Sequence, residues 1–298
     1  MHIGFDMGGT KLEIAVFDAD GNEMYKQRRA IKGIGYDSLL GMIVEMVAEA
    51  ETAAGRCETV GLGTPGALSR RTGLMKNTYA TPLNGRPFKA DLESALGREV
   101  RLANDANCFA LSEAIDGAAA GADVVFGATL GTGVGGGLVV GGRVLDGING
   151  AAGEWGHNAL PWPDAEELQG GTSYYESGEY DIEAFLSGAG LALDYERATG
   201  DRLQAPDIAR GDTPEKQAAL GRYERRLAKA LASVVNLVDP DVIVLGGGLS
   251  NTARLYDTVP RLWGEWVFSD TVETALVRNA HGDSSGVRGA AWLWKMPQ

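Results

Sequence analysis

Cysteine is nearly absent: the 298-residue chain holds two, Cys57 and Cys108, and only three histidines. Two thiols are too few for a disulfide framework and cannot build a thiolate metal cage without other ligands. Cys108 lies inside an apolar helical pattern, so it reads as a buried structural thiol and not as a nucleophile. Stretches of about 18 consecutive apolar residues are missing, and the opening MHIGFDMGG has neither a charged nor a long apolar leader segment. No membrane association or export is expected, and a reducing cytoplasm fits the cysteine usage. Basic clusters are missing too. With 40 acidic against 27 basic residues the net charge is -13; no block of Lys or Arg could track a phosphate backbone, so nucleic acid is not an expected partner. Neither G-x-x-x-x-G-K-[ST] nor a well-placed G-x-G-x-x-G occurs, which excludes the P-loop and dinucleotide fingerprints. No Ser-His-Asp ordering or Cys-His pair has a supporting context, so hydrolase chemistry is not expected either.

What the chain has is glycine, 43 residues of it, in a composition 44% hydrophobic and 22% charged that marks a globular protein. Its length exceeds the size at which one core stops growing, so two lobes are expected, residues 1–117 and 118–298. HIGFD reads as a strand, MGGTK as a glycine turn and LEIAVFD as the returning strand. Leu39, Met42, Ile43, Met46, Val47 and Ala50 then recur at helical spacing between an N-cap at Asp37 and a stop at Gly55. TVGLGTPG is a strand running into a loop, a helix follows near Lys89 to Leu96, and EVRLANDAN is a strand ending in polar residues. Beyond residue 123 the opening pattern repeats as VVFGATL, GTGVGGG and LVVGGRVL. Thr213 and Pro214 begin a long helix with Leu220, Tyr223, Leu227, Leu231, Val234 and Val238 on its apolar face, ended by Asp239-Pro240. DVIVLGGGLS is a buried strand feeding a third glycine turn. The last helix, about residues 284–295, is expected to fold back onto the first lobe. Strands alternating with helices imply a mostly parallel sheet covered by helices, with function at the carboxyl ends of its strands.

Three strands therefore end in glycine turns: Gly8-Gly9-Thr10, Gly131 to Gly137, and Gly246-Gly247-Gly248. Glycine lets main-chain N–H groups approach a phosphate closely, and such concavities bind anions without a lysine. A single turn of this kind is most simply a tight hairpin. Three of them across two similar halves point to a nucleotide held by both.

The motifs FDMGGTKLEIAVFD, LANDANCFALSEA, GTGVGGG, GEWGHN and DPDVIVLGGGLSN resemble the successive signatures of the ROK family of sugar kinases, and the likeness runs over nearly the whole chain. The resemblance implies an actin-like ATPase (ribonuclease H-like) α/β fold, two lobes with a cleft between them, and Mg-ATP as phosphoryl donor. Among ROK proteins the motifs look closest to bacterial fructokinases of the manno(fructo)kinase type. They imply conversion of D-fructose to fructose 6-phosphate, with mannose or glucose as secondary substrates. The alternative is an N-acetylhexosamine kinase, for N-acetylglucosamine or N-acetylmannosamine, and a remote one is a non-catalytic sugar-binding protein. A DNA-binding ROK regulator is not expected, because such regulators carry an N-terminal helix-turn-helix, whereas FDMGG begins here at residue 5 and leaves no room for one. A homodimer is the family habit.

Carried over residue by residue, the resemblance places Gly8, Gly9, Thr10 and Lys11 at nucleotide phosphates and Asp6 at magnesium, through water. Thr132 and Gly133 would meet phosphates from the other half, and Gly246, Gly247 and Gly248 would flank the adenosine. For Gly135 to Gly137 a kinked hairpin strand is an equal reading. Asp105 would be the general base that takes the proton of the attacking sugar hydroxyl, although by position alone it could be a helix N-cap. Asn104, Asp105, Glu154, His157 and Glu183 match the sugar-binding positions, where carboxylates and amides bind paired hydroxyls. Gly66 and Asn77 are further candidates, each equally readable as a turn glycine or a surface cap. His2 reads as a strand-start residue and His281 as a solvated loop histidine.

The chain departs from the family in one place. Most ROK kinases carry Cys-x-Cys-x4-Cys before an Ile-Glu pair, and those thiolates join the histidine of the ExGH motif around a structural zinc. Here Ile182-Glu183 is in place, but the aligned positions are Tyr174, Glu176 and Asp181. Tetrahedral structural zinc strongly favours sulfur, so no structural zinc is expected beside His157.

Overall fold

A computed structural model of the chain describes residues 1–78, 81–170 and 180–296. Along the chain run β1 (His2–Met7), β2 (Lys11–Phe17), β3 (Glu23–Ala30), α1 (Tyr36–Ala54), β4 (Thr59–Thr64), β5 (Ala67–Leu68), β6 (Met75–Lys76), α2 (Phe88–Leu96), β7 (Val100–Asn104) and α3 (Asp105–Ile115). They continue with β8 (Val124–Leu130), β9 (Val134–Val140), β10 (Arg143–Val144), α4 (Ala165–Gly170), α5 (Ile182–Leu186), α6 (Gly188–Thr199), α7 (Ala205–Ala209) and α8 (Pro214–Val238). The last elements are β11 (Val242–Gly246), α9 (Leu255–Leu262), β12 (Ala275–Arg278) and α10 (Ser285–Trp292). The residues group into two compact units. One comprises Met1–Gly117, Gly137–Ala152 and Asp283–Gln298, the other Ala118–Gly136 and Gly153–Gly282. The stretch 137–152 thus sorts with the first unit and not with the sequence on either side of it.

Two five-stranded sheets share one plan. The first has the order β3-β2-β1-β4-β7 and the second β10-β9-β8-β11-β12. In the first, β1 pairs antiparallel with β2 and parallel with β4, which pairs parallel with β7. In the second, β8 and β12 both pair parallel with β11, and β10 closes antiparallel on β9. The sequence repeat of strand, glycine turn and returning strand is the local signature of this duplicated plan. The parallel strands end in Asp6, Thr64, Asn104 and Gly246, or one residue beyond them, where open α/β sheets present their ligand sites.

The first sheet is covered on both faces, and its strands read accordingly. Ile3, Phe5 and Met7 on β1 and Leu12, Ile14 and Val16 on β2 are buried, whereas β3 at the edge alternates polar and half-buried residues. α1 covers one face with Leu39, Ile43, Met46, Val47 and Ala50. Its N-cap is Gly35, not Asp37, which lies inside the first turn where its charge suits the helix dipole. The other face carries α10. A Cβ on Gly4 would collide with the carbonyl oxygen of Val287, and one on Gly61 with that of Ala290, so the helix backbone lies directly on the strands. Gly61→Ala is therefore expected to cost about 3 kcal/mol or more, because the obstacle is backbone and cannot rotate away. Urea unfolding measures this, and an unchanged midpoint would refute the packing argument.

In the second unit the long helix α8 starts and stops where its sequence says. Thr213 accepts from the Lys216 N–H, Pro214 opens the first turn, and Asp239 ends the helix in left-handed conformation at φ 49. Leu220, Tyr223, Leu227, Leu231 and Val234 are buried along its inner face. Among the described residues, no helix is long and apolar enough to cross a membrane.

Candidate active site

In the first unit, Asp6 is the fifth residue of β1, between the fully buried Phe5 and Met7, and the chain turns over immediately afterwards. The Gly8 N–H donates to the Lys11 carbonyl at 2.9 Å, closing the turn, and Thr10 accepts from the Ile31 N–H. Gly8, Thr10 and Lys11 are exposed. Asp6 itself is only partly accessible. Its pKa is pushed up from 3.8 to about 7, first by burial and next by the charge of Asp105, with Glu13 adding to the rise and Arg28 and Lys11 opposing it. Glu13 faces Asp6 across the β1–β2 ladder and is itself paired with Arg28 and with Lys26 at 3.1 Å. Two carboxylates that raise each other's cost of ionisation form a natural seat for a cation. On that ground Asp6, beside the charge of Asp105, fits a magnesium ion carried in with a nucleotide.

Asp105 opens α3, where β7 hands over to the helix. The N-cap is Asn104 and not Asp105, because Asn104 keeps extended backbone (φ -63, ψ 149) while Asp105 is already helical. The Asn104 Oδ1 accepts from the Ala106 N–H at 2.9 Å, and its Nδ2 donates to the Gly66 carbonyl at 3.2 Å. This relieves Asp105 of the principal capping duty, and its carboxylate is exposed at the positive end of a helix. Gly66 sits at φ +73, and any side chain there would run into the Lys76 carbonyl. Asn77 next door is also left-handed, at φ 55, and exposed. The structure therefore brings Gly66, Asn77, Asn104 and Asp105 into one patch, and Asp6 close enough to feel the last of them. Gly66 is needed for close backbone approach whatever else it does.

Gly286 was missed. It stands at the start of α10, and a Cβ there would lie 3.0 Å from the Asp6 carboxylate carbon. The first turn of α10 thus closes over Asp6. The only sequence signal was the run of small residues in SSGVRGAA, which also fits a packing helix.

In the second unit, Glu154 and His157 flank a single 3-10 turn over Trp155–His157. Trp155 holds the turn down: its indole N–H donates to the Gly135 carbonyl at 2.8 Å, and its ring meets Phe126 edge-on at 5.5 Å. Glu154 and His157 are exposed, with the imidazole Nε2 3.8 Å from the Glu154 carboxylate. Glu183, on the short helix α5, accepts the Val134 N–H at 2.8 Å. Thr132 is exposed and Gly133 lies directly against the Glu183 carboxylate. Only Gly131 to Gly133 of GTGVGGG form the turn, since Val134 already begins β9. Gly136 is glycine for a different reason, because a Cβ would lie 2.7 Å from the Trp155 ring. Gly246 ends β11, and Gly247, at φ 79, packs against the backbone of Leu130 where a side chain cannot fit. Gly248 has open space around its Cα.

Of the residues at the family's zinc positions, Tyr174 and Glu176 lie outside the described residues. Asp181 is the N-cap of α5, accepting from the Ala184 N–H at 2.7 Å. Among the described residues, no group of three His, Cys, Asp or Glu side chains is placed to hold a metal ion.

The chain is similar to known proteins along nearly its whole length. The family model described as "ROK family" matches residues 2–296. The N-acetyl-D-glucosamine kinase of Pectobacterium atrosepticum is 40% identical over 303 residues, covering 99% of each chain. That of Escherichia coli K12 is 40% identical, covering 98% of this chain and 99% of the relative. Among solved structures, the ROK hexokinase from Thermus thermophilus aligns with a TM-score of 0.85 at 34% identity, over 98% of this chain and 97% of that one. The ROK family glucokinase from Streptomyces griseus, in complex with glucose and AMPPNP, aligns at 0.79 and 26% identity, over 98% of both chains.

Proposed function

The chain belongs to the ROK family and is an ATP-dependent sugar kinase, and we propose that its substrate is an N-acetylhexosamine, N-acetyl-D-glucosamine in the first place. The observation that carries this is 40% identity to N-acetyl-D-glucosamine kinases over essentially the full length of both chains. It corrects the expectation of fructose. The motifs behind that expectation bind phosphates and ring hydroxyls common to all these sugars, and they do not report the substituent at C2.

In the proposed reaction the sugar 6-hydroxyl oxygen attacks the γ-phosphorus of ATP, ADP leaves, and the hydroxyl proton passes to the Asp105 carboxylate. Such a transfer rests on positioning and charge neutralisation more than on covalent help from the protein. In the first unit, Asp105 is the base, Asn104 and the Gly66–Asn77 corner flank it, and Asp6 with the Gly8–Lys11 turn faces the magnesium and phosphates. In the second unit, Glu154, His157 and Glu183 are offered to sugar hydroxyls, and Thr132, Gly133 and Gly246 to Gly248 to the nucleotide. Magnesium, when bound, neutralises charge on the transferred phosphoryl oxygens. The missing thiolates and the capping duty of Asp181 argue against a structural zinc near His157.

A coupled ADP-release panel of N-acetylglucosamine, N-acetylmannosamine, glucose, mannose and fructose tests the assignment. N-acetylglucosamine is expected to give the highest kcat/KM, with fructose at least about tenfold lower, the discrimination one well-placed polar contact supplies. A fructose preference would restore the fructokinase reading.

A further inference from the structure

We infer that Glu183 is a positioning residue for the nucleotide turn as well as a ligand for the sugar, so that one carboxylate serves both substrates. This rests on the kinase reading above and deepens it. The Glu183 Oε2 accepts the Val134 N–H at 2.8 Å, and Val134 is the residue at which the turn Gly131–Gly133 becomes β9. The turn is shaped around that oxygen: a Cβ on Gly133 would lie 2.5 Å from it. A second bond ties the same turn to the start of the next helix, because the Gly188 N–H donates to the Gly131 carbonyl at 2.8 Å. Gly188 is the first residue of α6, one residue after α5 ends its cap at Ser187. The turn is thus held at Gly131 by main chain and at Val134 by the Glu183 side chain.

Those two bonds decide where the turn's other amides point. Gly131 donates its N–H to the Gly133 carbonyl at 3.0 Å, so the turn is closed on itself. The exposed Thr132, with the half-buried Gly133, is the part left to meet phosphates. Without the Glu183 oxygen the Val134 N–H loses its partner and β9 loses the anchor at its first residue, with no side chain on Gly133 to restrict the turn. A turn that must be ordered by the nucleotide itself binds more weakly, since the ordering entropy is drawn from the binding energy. With Oε2 on the Val134 N–H, the other carboxylate oxygen, Oε1, is in this proposal given to a sugar hydroxyl. By linkage, each substrate that fixes this carboxylate improves the site for the other by the same factor.

The test measures binding of the ATP analogue AMPPNP with magnesium, in the absence of sugar, by isothermal titration calorimetry on the full chain. Glu183→Ala is expected to weaken this binding about tenfold, while Glu183→Gln, whose amide oxygen can still accept from Val134, stays within about threefold of wild type. Both variants raise KM for the sugar more than tenfold. Gly133→Ala, which drives the carboxylate off Val134 without removing it, is expected to weaken AMPPNP as Glu183→Ala does. Circular dichroism and thermal melts confirm folding; should Glu183→Ala not fold, Gly133→Ala against Glu183→Gln carries the comparison. AMPPNP affinity equal to wild type in Glu183→Ala and Gly133→Ala would overturn the inference, leaving Glu183 a sugar ligand only. A wild-type protein that binds no nucleotide and turns over no sugar would instead overturn the kinase reading.

Discussion

Asp105→Asn is expected to lower kcat by about 10²–10⁴-fold, the range a positioned general base contributes, with the fold intact. The substitution isolates proton acceptance. Asparagine keeps the size of aspartate and keeps an oxygen for the Ala106 N–H, which Asp105 Oδ1 accepts at 2.8 Å. The helix start does not depend on it, because Asn104 caps α3 and also ties it to Gly66. What disappears is a carboxylate that can take a proton from an attacking hydroxyl. KM for the sugar should move far less than kcat, since an amide still hydrogen-bonds to the hydroxyl it no longer deprotonates. Stability should hold or rise slightly, because the charge that pushes up the Asp6 pKa is gone. A kcat within about fivefold of wild type would remove Asp105 from the catalytic role. A parallel collapse of melting temperature would mean that the loss reports folding.

Much of this was readable in the sequence, and the parts that were not share a physical cause. The strands β1 and β8, the glycine turns after them and the span of α8 follow from local signals: continuous apolar runs, Thr-Pro at a helix start, Asp-Pro at its end. Strand ends carrying Asp6, Asn104 and Asp105 were legible for the same reason, since polar residues closing buried strands are a local pattern. Local signals fail where two good candidates stand side by side. Asn104 and Asp105 both favour N-caps, and only the extended backbone of Asn104, whose side chain is tied to the Gly66 carbonyl, decides between them. Gly35 over Asp37 at the start of α1 is the same case. They fail again where a glycine answers to a partner distant in sequence. Gly136 makes room for the Trp155 ring, Gly4 and Gly61 for the backbone of α10, and Gly286 for Asp6. Nothing near those glycines in the chain announces the partner. The proposed sugar is the extreme of this: recognition of a substituent at C2 would rest on the shape of a pocket, which no local motif reports.

Asp6→Asn should make the ligand-free protein more stable at pH 8 and nearly inactive. In the folded chain the carboxyl ionises near 7, against 3.8 for an ordinary aspartate, because it is buried and faces Asp105. Between those values the folded state holds a proton that the unfolded state has released. Stability from this group therefore falls as pH rises from about 4 to 7, and the full penalty persists above 7. The difference between 3.8 and about 7 converts to about 4 kcal/mol at 1.36 kcal/mol per unit. Asparagine carries no charge to bury, so its stability curve lacks this descent. Thermal melts of both proteins from pH 4.5 to 8.5 should show the variant gaining on wild type through pH 5 to 7 and holding its advantage above. Taking the difference between the two cancels every titrating group that does not interact with Asp6, and leaves Asp6 with the charges that face it. Parallel curves would mean that Asp6 ionises freely and that the carboxylate pair is not a strained seat for a cation. Magnesium with AMPPNP should erase most of the difference by stabilising wild type alone, because the cation compensates the charge that folding leaves exposed to its neighbour. We propose that the strain at Asp6 is the ligand-free form of the arrangement that would hold the metal during turnover, so that its removal trades catalysis for stability.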